Sequence, residues 1–199
     1  MRYNGADFRR RRRLNLNLPN SLTLVRIVLI PLLVVVLLTK IEWQMMGISS
    51  QVLGAAIFAV AALTDWLDGY LARRRKQVTT LGQLMDPIAD KLLTAAAFIS
   101  LVQMGAAEPW MVAVVIGREF AVTALRSLAY ARGTVIVSSS LGKAKMASQV
   151  TAILLLILGH ERYRPFYVLG QAAMWVVVVT SIVSAVAYYR SFSRAAASS

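Results

Sequence analysis

Four aspartates, Asp65, Asp68, Asp86 and Asp90, fall within the stretch TDWLDGYLARRRKQVTTLGQLMDPIADKLL from Thr64 to Leu93, in a chain with only nine acidic residues among 199. Asp65 and Asp68 are three apart and Asp86 and Asp90 four apart, so each pair shares one face of a helix. The basic connection ARRRKQVTT, Ala72 to Thr80, turns the chain back between them and brings the pairs close. Four carboxylates near one point repel, and an unpaired acid at membrane depth costs about 2.5–3.5 kcal/mol on insertion scales. Positive charge must sit among them. Two sources are open: Arg73, Arg74, Arg75 and Lys91 as ion-pair partners, or one or two divalent cations, since an all-oxygen donor set suits magnesium, calcium or manganese. Gly69, Ala72 and Gly82 are small enough to leave room for a ligand there, or to allow tight helix packing.

The scaffold that positions these acids is apolar. Hydrophobic residues make up 58% of the chain and charged residues 16%, with a mean hydropathy of +0.61, which separates it from ordinary soluble domains. The absence of cysteine excludes disulfides and thiolate chemistry. Hydropathy marks six spans, roughly 21–39, 49–72, 81–104, 109–131, 141–159 and 166–189. The expected fold is therefore all-α, a polytopic integral membrane protein with six transmembrane helices and an N-terminal interfacial segment. Residues 1–20 form a basic juxtamembrane segment, 21–190 the six-helix domain, and 191–199 a frayed tail. Asn20 or Ser21, after Pro19, is expected to cap the first helix, and Thr80 with Gln83 forms a capping box that starts the third near Leu81.

A net charge of +13 raises nucleic acid as a partner, but its distribution points elsewhere. The run Arg9 to Arg13 precedes the first apolar segment, where it suits anionic lipid headgroups. Bases then alternate along the connections. Arg2, the arginine run and Arg26 mark the N-terminal side, only Lys40 follows the first span, and Arg73 to Lys76 follow the second. Glu108 stands alone after the third, and Arg126, Arg132, Lys143 and Lys145 surround the fourth connection. This alternation puts both termini and the second and fourth connections in the cytoplasm, with Arg162 and Arg164 dissenting. Trp66, Trp110 and Trp175 read as interface anchors or packing, and His160, at the outer end of the fifth span, has no expected catalytic role.

A second group of charges lies further along. IGREFAVTALRSLA, Ile116 to Ala129, sets Arg118, Glu119 and Arg126 in an apolar helix, and LGKAKMASQ, Leu141 to Gln149, brings Lys143 and Lys145 to the start of the fifth. A phosphorylated substrate would explain four such cations, because an anion takes Arg and Lys donors. Snorkelling to lipid phosphates is the simpler reading for Arg132 and Lys145. Glu119 would neutralise Arg118 or orient it.

The pattern Asp65-x2-Asp68-Gly69-x2-Ala72-Arg73-x8-Gly82-x3-Asp86-x3-Asp90 resembles the full signature of the CDP-alcohol phosphotransferase family, with every position filled. The resemblance implies a homodimeric enzyme of the inner cell membrane with two Mg2+ or Mn2+ ions. Asp65, Asp68, Asp86 and Asp90 would hold the metal, and Asp90 would also act as general base. Asp68, Gly69, Ala72, Arg73, Thr80 and Gly82 would line the nucleotide pocket. Over roughly residues 15–160, NLPNSLTLVRI, the R-E-x3-T-x2-R pattern and the G-K-x-K-x3-Q pattern are similar to the branch of that family that uses sn-glycerol 3-phosphate. That implies phosphatidyl transfer from CDP-diacylglycerol, giving phosphatidylglycerophosphate and CMP, with Arg118, Arg126, Lys143 and Lys145 on the acceptor's phosphate. Within the family the alternatives are a cardiolipin synthase, whose acceptor is phosphatidylglycerol, and an inositol-phosphate-using relative. Outside it stands a cation transporter, which would place acids along a mid-bilayer pathway rather than at helix ends.

Overall fold

The computed structural model describes residues 18–39, 49–75, 80–131, 140–160 and 163–197; the side chains of 18–22, 65–75, 80–87, 131, 140–144 and 195–197 lie outside that description. The arginine run and the interfacial segment before Leu18 lie outside it too. Six α-helices follow one another, with no strand among the described residues: α1 Leu18–Leu38, α2 Ser50–Arg75, α3 Thr80–Gln103, α4 Pro109–Ala131, α5 Ser140–Gly159 and α6 Arg164–Ala197. The expected all-helical class and helix count agree with this. Among the described residues, Arg164–Arg194 is long and apolar enough to cross a membrane, while Thr23–Leu38, Ser50–Thr64 and Lys145–Gly159 are shorter apolar stretches.

Chain punctuation accounts for the helix ends. Gly105, with φ of 74°, terminates α3; its N–H donates to Val102 O at 2.9 Å and the Ala106 N–H to Leu101 O at 2.8 Å. This pair of bonds satisfies carbonyls left open at a helix C-terminus and requires a left-handed residue, which glycine adopts without a steric penalty. Pro109 then opens α4, where its missing N–H costs nothing. The cap expected at Asn20 or Ser21 is not there: α1 begins at Leu18, so both residues fall inside its first turn. Pro19 is the reason, since its fixed φ is preorganised for a first turn and lets the helix begin earlier. The expected tail is helical through Ala197.

Leu33 of α1, Phe58 of α2, Phe98 of α3, Val115 of α4, Leu156 of α5 and Met174 of α6 are all buried in one core. Around it, α5 packs on α6, α1 on α2 and α3, and α4 on α6. Large apolar side chains also cover the outside, among them Val28, Val60, Ile99, Val179 and Val183. Apolar faces of that extent are unusual against water but ordinary against lipid.

The α5–α6 hairpin is closed tightly at Gly159. A Cβ there would lie 2.6 Å from Tyr167 Cα and 2.7 Å from the Phe166 carbonyl carbon, and backbone cannot swing aside as a side chain can. Gly159→Ala is therefore expected to destabilise the fold by about 2 kcal/mol, the usual cost of overpacking, read as a lower melting temperature of the detergent-solubilised protein. An unchanged melting temperature would contradict this packing.

Candidate active site

Helix direction gathers the chemistry at one end of the bundle. The C-terminal end of α2, the start of α3, the second half of α4, the start of α5 and the later part of α6 carry the charged positions. Asp65, Asp68, Gly69, Ala72 and Arg73 lie on α2, and Thr80, Gly82 and Asp86 on α3, but their side chains, like that of Lys143 on α5, lie outside the described residues. Asp90 is the one expected metal ligand with a described side chain, and among the described residues no three acids, histidines or cysteines converge.

Asp90 is half-buried on α3 and has close charged neighbours. Lys91 interacts electrostatically with Asp90 and Arg126, and Lys145 with Arg118, Asp90 and Lys91. Residues up to 55 positions apart are thus joined in one field. Lys91 donates to Thr123 Oγ1, and that hydroxyl donates in turn to Glu119 O at 2.8 Å, which ties α3 to α4. A cleft between α3, α4 and α5 is lined by Lys91, Thr94, Phe98, Glu119, Phe120 and Gln149.

Glu119 is the hub of the second charge group. Lys145 Nζ forms an ion pair with Glu119 Oε1, Gln149 Nε2 donates to the same oxygen at 3.4 Å, and Arg118 Nη1 lies 3.6 Å from Oε2. Lys145 is only 4% exposed, so the snorkelling reading fails for it. Its ammonium has the half-buried carboxylate of Glu119 within reach, and a partner inside the bundle outweighs the route to the lipid surface. Glu119 thus lies within ion-pair reach of Arg118, as the neutralising reading expects, and also of Lys145. Arg126 is more exposed and leans on α6, where Nη2 donates to Tyr188 Oη at 2.7 Å and the guanidinium carbon lies 5.5 Å from the ring centroid. Arg118 Nη2 donates to Ser184 Oγ, also on α6.

The residues missed from sequence are those whose role is only spatial. Lys91 reads from sequence as an ion-pair partner, Thr123 and Gln149 belong to the R-E-x3-T-x2-R and G-K-x-K-x3-Q patterns without a role attached to them, and Ser184 and Tyr188 carry no motif that separates them from other helix-lining polar residues. Arg26, counted with the bases that mark the N-terminal side, is completely buried on α1. His160 lies at the end of α5 opposite Lys145, away from this cluster.

Among the described residues, Asp90 and Glu119 set among the cations Lys91, Arg118, Arg126 and Lys145 make a charge arrangement that suits phosphate-bearing groups. The chain belongs to the CDP-alcohol phosphatidyltransferase family, whose model matches residues 16–183. It is 40% identical over 183 residues to a CDP-diacylglycerol–glycerol-3-phosphate 3-phosphatidyltransferase of Bacillus subtilis (strain 168), covering 87% of this chain and 93% of the relative. Identity to the protein of the same name from Pseudomonas fluorescens is 35% over 181 residues, 88% of this chain and 89% of that one. A cardiolipin synthase (CMP-forming) of Oryza sativa subsp. japonica is 34% identical over 200 residues, 90% of this chain but 58% of the relative.

Proposed function

We propose that this protein transfers the phosphatidyl group of CDP-diacylglycerol to sn-glycerol 3-phosphate, giving phosphatidylglycerophosphate and CMP. The observation that carries this reading is the charge of the described cluster. Among the described residues, the four cations Lys91, Arg118, Arg126 and Lys145 gather with two carboxylates, Asp90 and Glu119, so this described group is doubly positive. A phosphate monoester carries about two negative charges at neutral pH, whereas the phosphodiester of phosphatidylglycerol carries one. Glycerol 3-phosphate therefore balances the site better than a lipid acceptor does. The names of the bacterial relatives support the same acceptor.

The residues divide the work. Arg118, Arg126, Lys143 and Lys145 bind the acceptor's phosphate. Asp90 accepts the proton of the acceptor hydroxyl, whose oxygen forms a bond to the lipid-side phosphorus of CDP-diacylglycerol. The bond between that phosphorus and the bridging oxygen breaks, and CMP leaves with the oxygen. Asp68, Gly69, Ala72, Arg73, Thr80 and Gly82 hold the nucleotide. A divalent metal fits the donor chemistry, because Asp65, Asp68, Asp86 and Asp90 are hard oxygen donors on adjoining parts of α2 and α3. Two Mg2+ or Mn2+ ions held there would neutralise charge on the pyrophosphate and on the departing nucleotide.

The six helices are read as six spans of a bacterial inner membrane, with the active site and both termini cytoplasmic, anionic lipids around the basic N-terminus, and a homodimer as the assembly. Because the chain has no native cysteine, single substitutions report sidedness cleanly. Ser193→Cys, at the C-terminal end of the apolar stretch Arg164–Arg194, is expected to resist a membrane-impermeant maleimide in intact cells, and Glu108→Cys, exposed between α3 and α4, to react. The reverse pattern would contradict the orientation. The acceptor is tested by supplying CDP-diacylglycerol with glycerol 3-phosphate, phosphatidylglycerol or inositol phosphate in separate reactions. Preference for phosphatidylglycerol would sink the assignment.

A further inference from the structure

Helix α6 carries no residue of the family signature, yet it touches both arginines of the acceptor cluster. We infer that its later part completes the acceptor site, with Ser184 and Tyr188 as the residues that position Arg118 and Arg126 for the acceptor's phosphate; this deepens the glycerol 3-phosphate reading and rests on it. Ser184 and Tyr188 are four apart and share a helix face. Each receives a donor from one arginine of α4, Ser184 from Arg118 and Tyr188 from Arg126. The two helices pack directly against each other.

Two further groups on this seam point to a ligand. The Arg118 side chain is 10% exposed, and its Nε–H is buried without a hydrogen-bond partner. With one Nη on Ser184 and the other facing Glu119, the remaining edge of the guanidinium is an open donor in a place where an unsatisfied N–H is costly. A phosphate oxygen is the acceptor that such a fork fits best. One turn before Ser184, the Ser181 hydroxyl is also buried without a partner. The seam therefore offers polar groups that helix packing alone leaves unmet.

Tyr188 holds Arg126 in two ways, by its hydroxyl at 2.7 Å and by its ring under the guanidinium at 5.5 Å. An arginine held this way loses less freedom when the acceptor binds. Were α6 merely packing, weakening these contacts would alter both substrates' behaviour together or neither. As positioning residues, they should affect the acceptor alone.

The test compares wild type with Tyr188→Phe, Ser184→Ala and the double variant in purified, detergent-solubilised full-length protein. Tyr188→Phe keeps the ring and deletes one oxygen, so a folded variant remains even if the double variant is unstable. Each single change is expected to raise KM for glycerol 3-phosphate about fivefold, the scale of one net intramolecular hydrogen bond, with KM for CDP-diacylglycerol and saturated kcat within twofold. Ser184→Thr, which keeps the hydroxyl, should restore most of the acceptor KM. Unchanged acceptor KM, or equal shifts for both substrates, would overturn the inference while leaving the acceptor assignment standing. A wild type that cannot use glycerol 3-phosphate would overturn both.

Discussion

Replacing Asp90 by Asn is expected to abolish phosphatidyl transfer while leaving binding of CDP-diacylglycerol largely intact. The substitution preserves shape and removes both the base and a negative charge from the cluster. Loss of general-base assistance alone is worth about 100- to 10,000-fold in rate, and the account gives the same carboxylate a share in holding metal. Asp90 is half-buried and interacts electrostatically with Lys91 and Lys145. Its neighbours thus include Lys145 of α5, which is assigned to the acceptor, and a base for the acceptor hydroxyl must stand near that group. Turnover by the Asp90→Asn protein within tenfold of wild type, measured as CMP release under saturating substrates, would remove Asp90 from the base role.

Lys145→Met is expected to raise KM for glycerol 3-phosphate by about 100-fold, the scale of a lost charge-assisted contact in a desolvated site. Stability complicates that experiment, because Lys145 is buried and paired with Glu119. Removing one member of a buried pair costs about 3 kcal/mol or more, since the other charge is stranded; the partial exposure of Glu119 reduces that figure by screening. The paired variant Lys145→Met/Glu119→Gln removes both charges and is expected to recover much of the melting temperature. Its acceptor KM should stay high. If the double change restored acceptor affinity together with stability, Lys145 would be a structural residue rather than a ligand of the phosphate.

Much of the bundle was legible because its signals are local. The stop at Gly105 and restart at Pro109 fall where hydropathy ends the third span and begins the fourth, and the second, third and fourth spans lie within a few residues of α2, α3 and α4. Helix ends without such punctuation were harder. The first helix starts at Leu18 because proline favours a first turn over the polar cap that follows it. The last runs on through Ala197 because nothing after the final apolar residue breaks it, although hydropathy falls.

The candidate site divides along the same line. The aspartate spacing and the Arg-Glu and Lys-x-Lys patterns are short-range features. The pairing of Lys145 with Glu119 and the contacts of Ser184 and Tyr188 with the arginines join residues 26, 66 and 62 positions apart. No periodicity along the chain encodes such partners. Lys145 shows the consequence: on its helix alone it resembles a snorkelling lysine, and only the facing carboxylate of α4 explains its burial.

The central claim is that the acid set and the cation cluster act on one acceptor, and one measurement reads this directly. Purified wild-type protein is given CDP-diacylglycerol and glycerol 3-phosphate labelled at phosphorus, with divalent metal, and both the lipid fraction and CMP are quantified. The account predicts that label enters a phosphatidylglycerophosphate product in equal amount to the CMP released. CMP release without label in lipid, or transfer that appears only when phosphatidylglycerol is added, would contradict it.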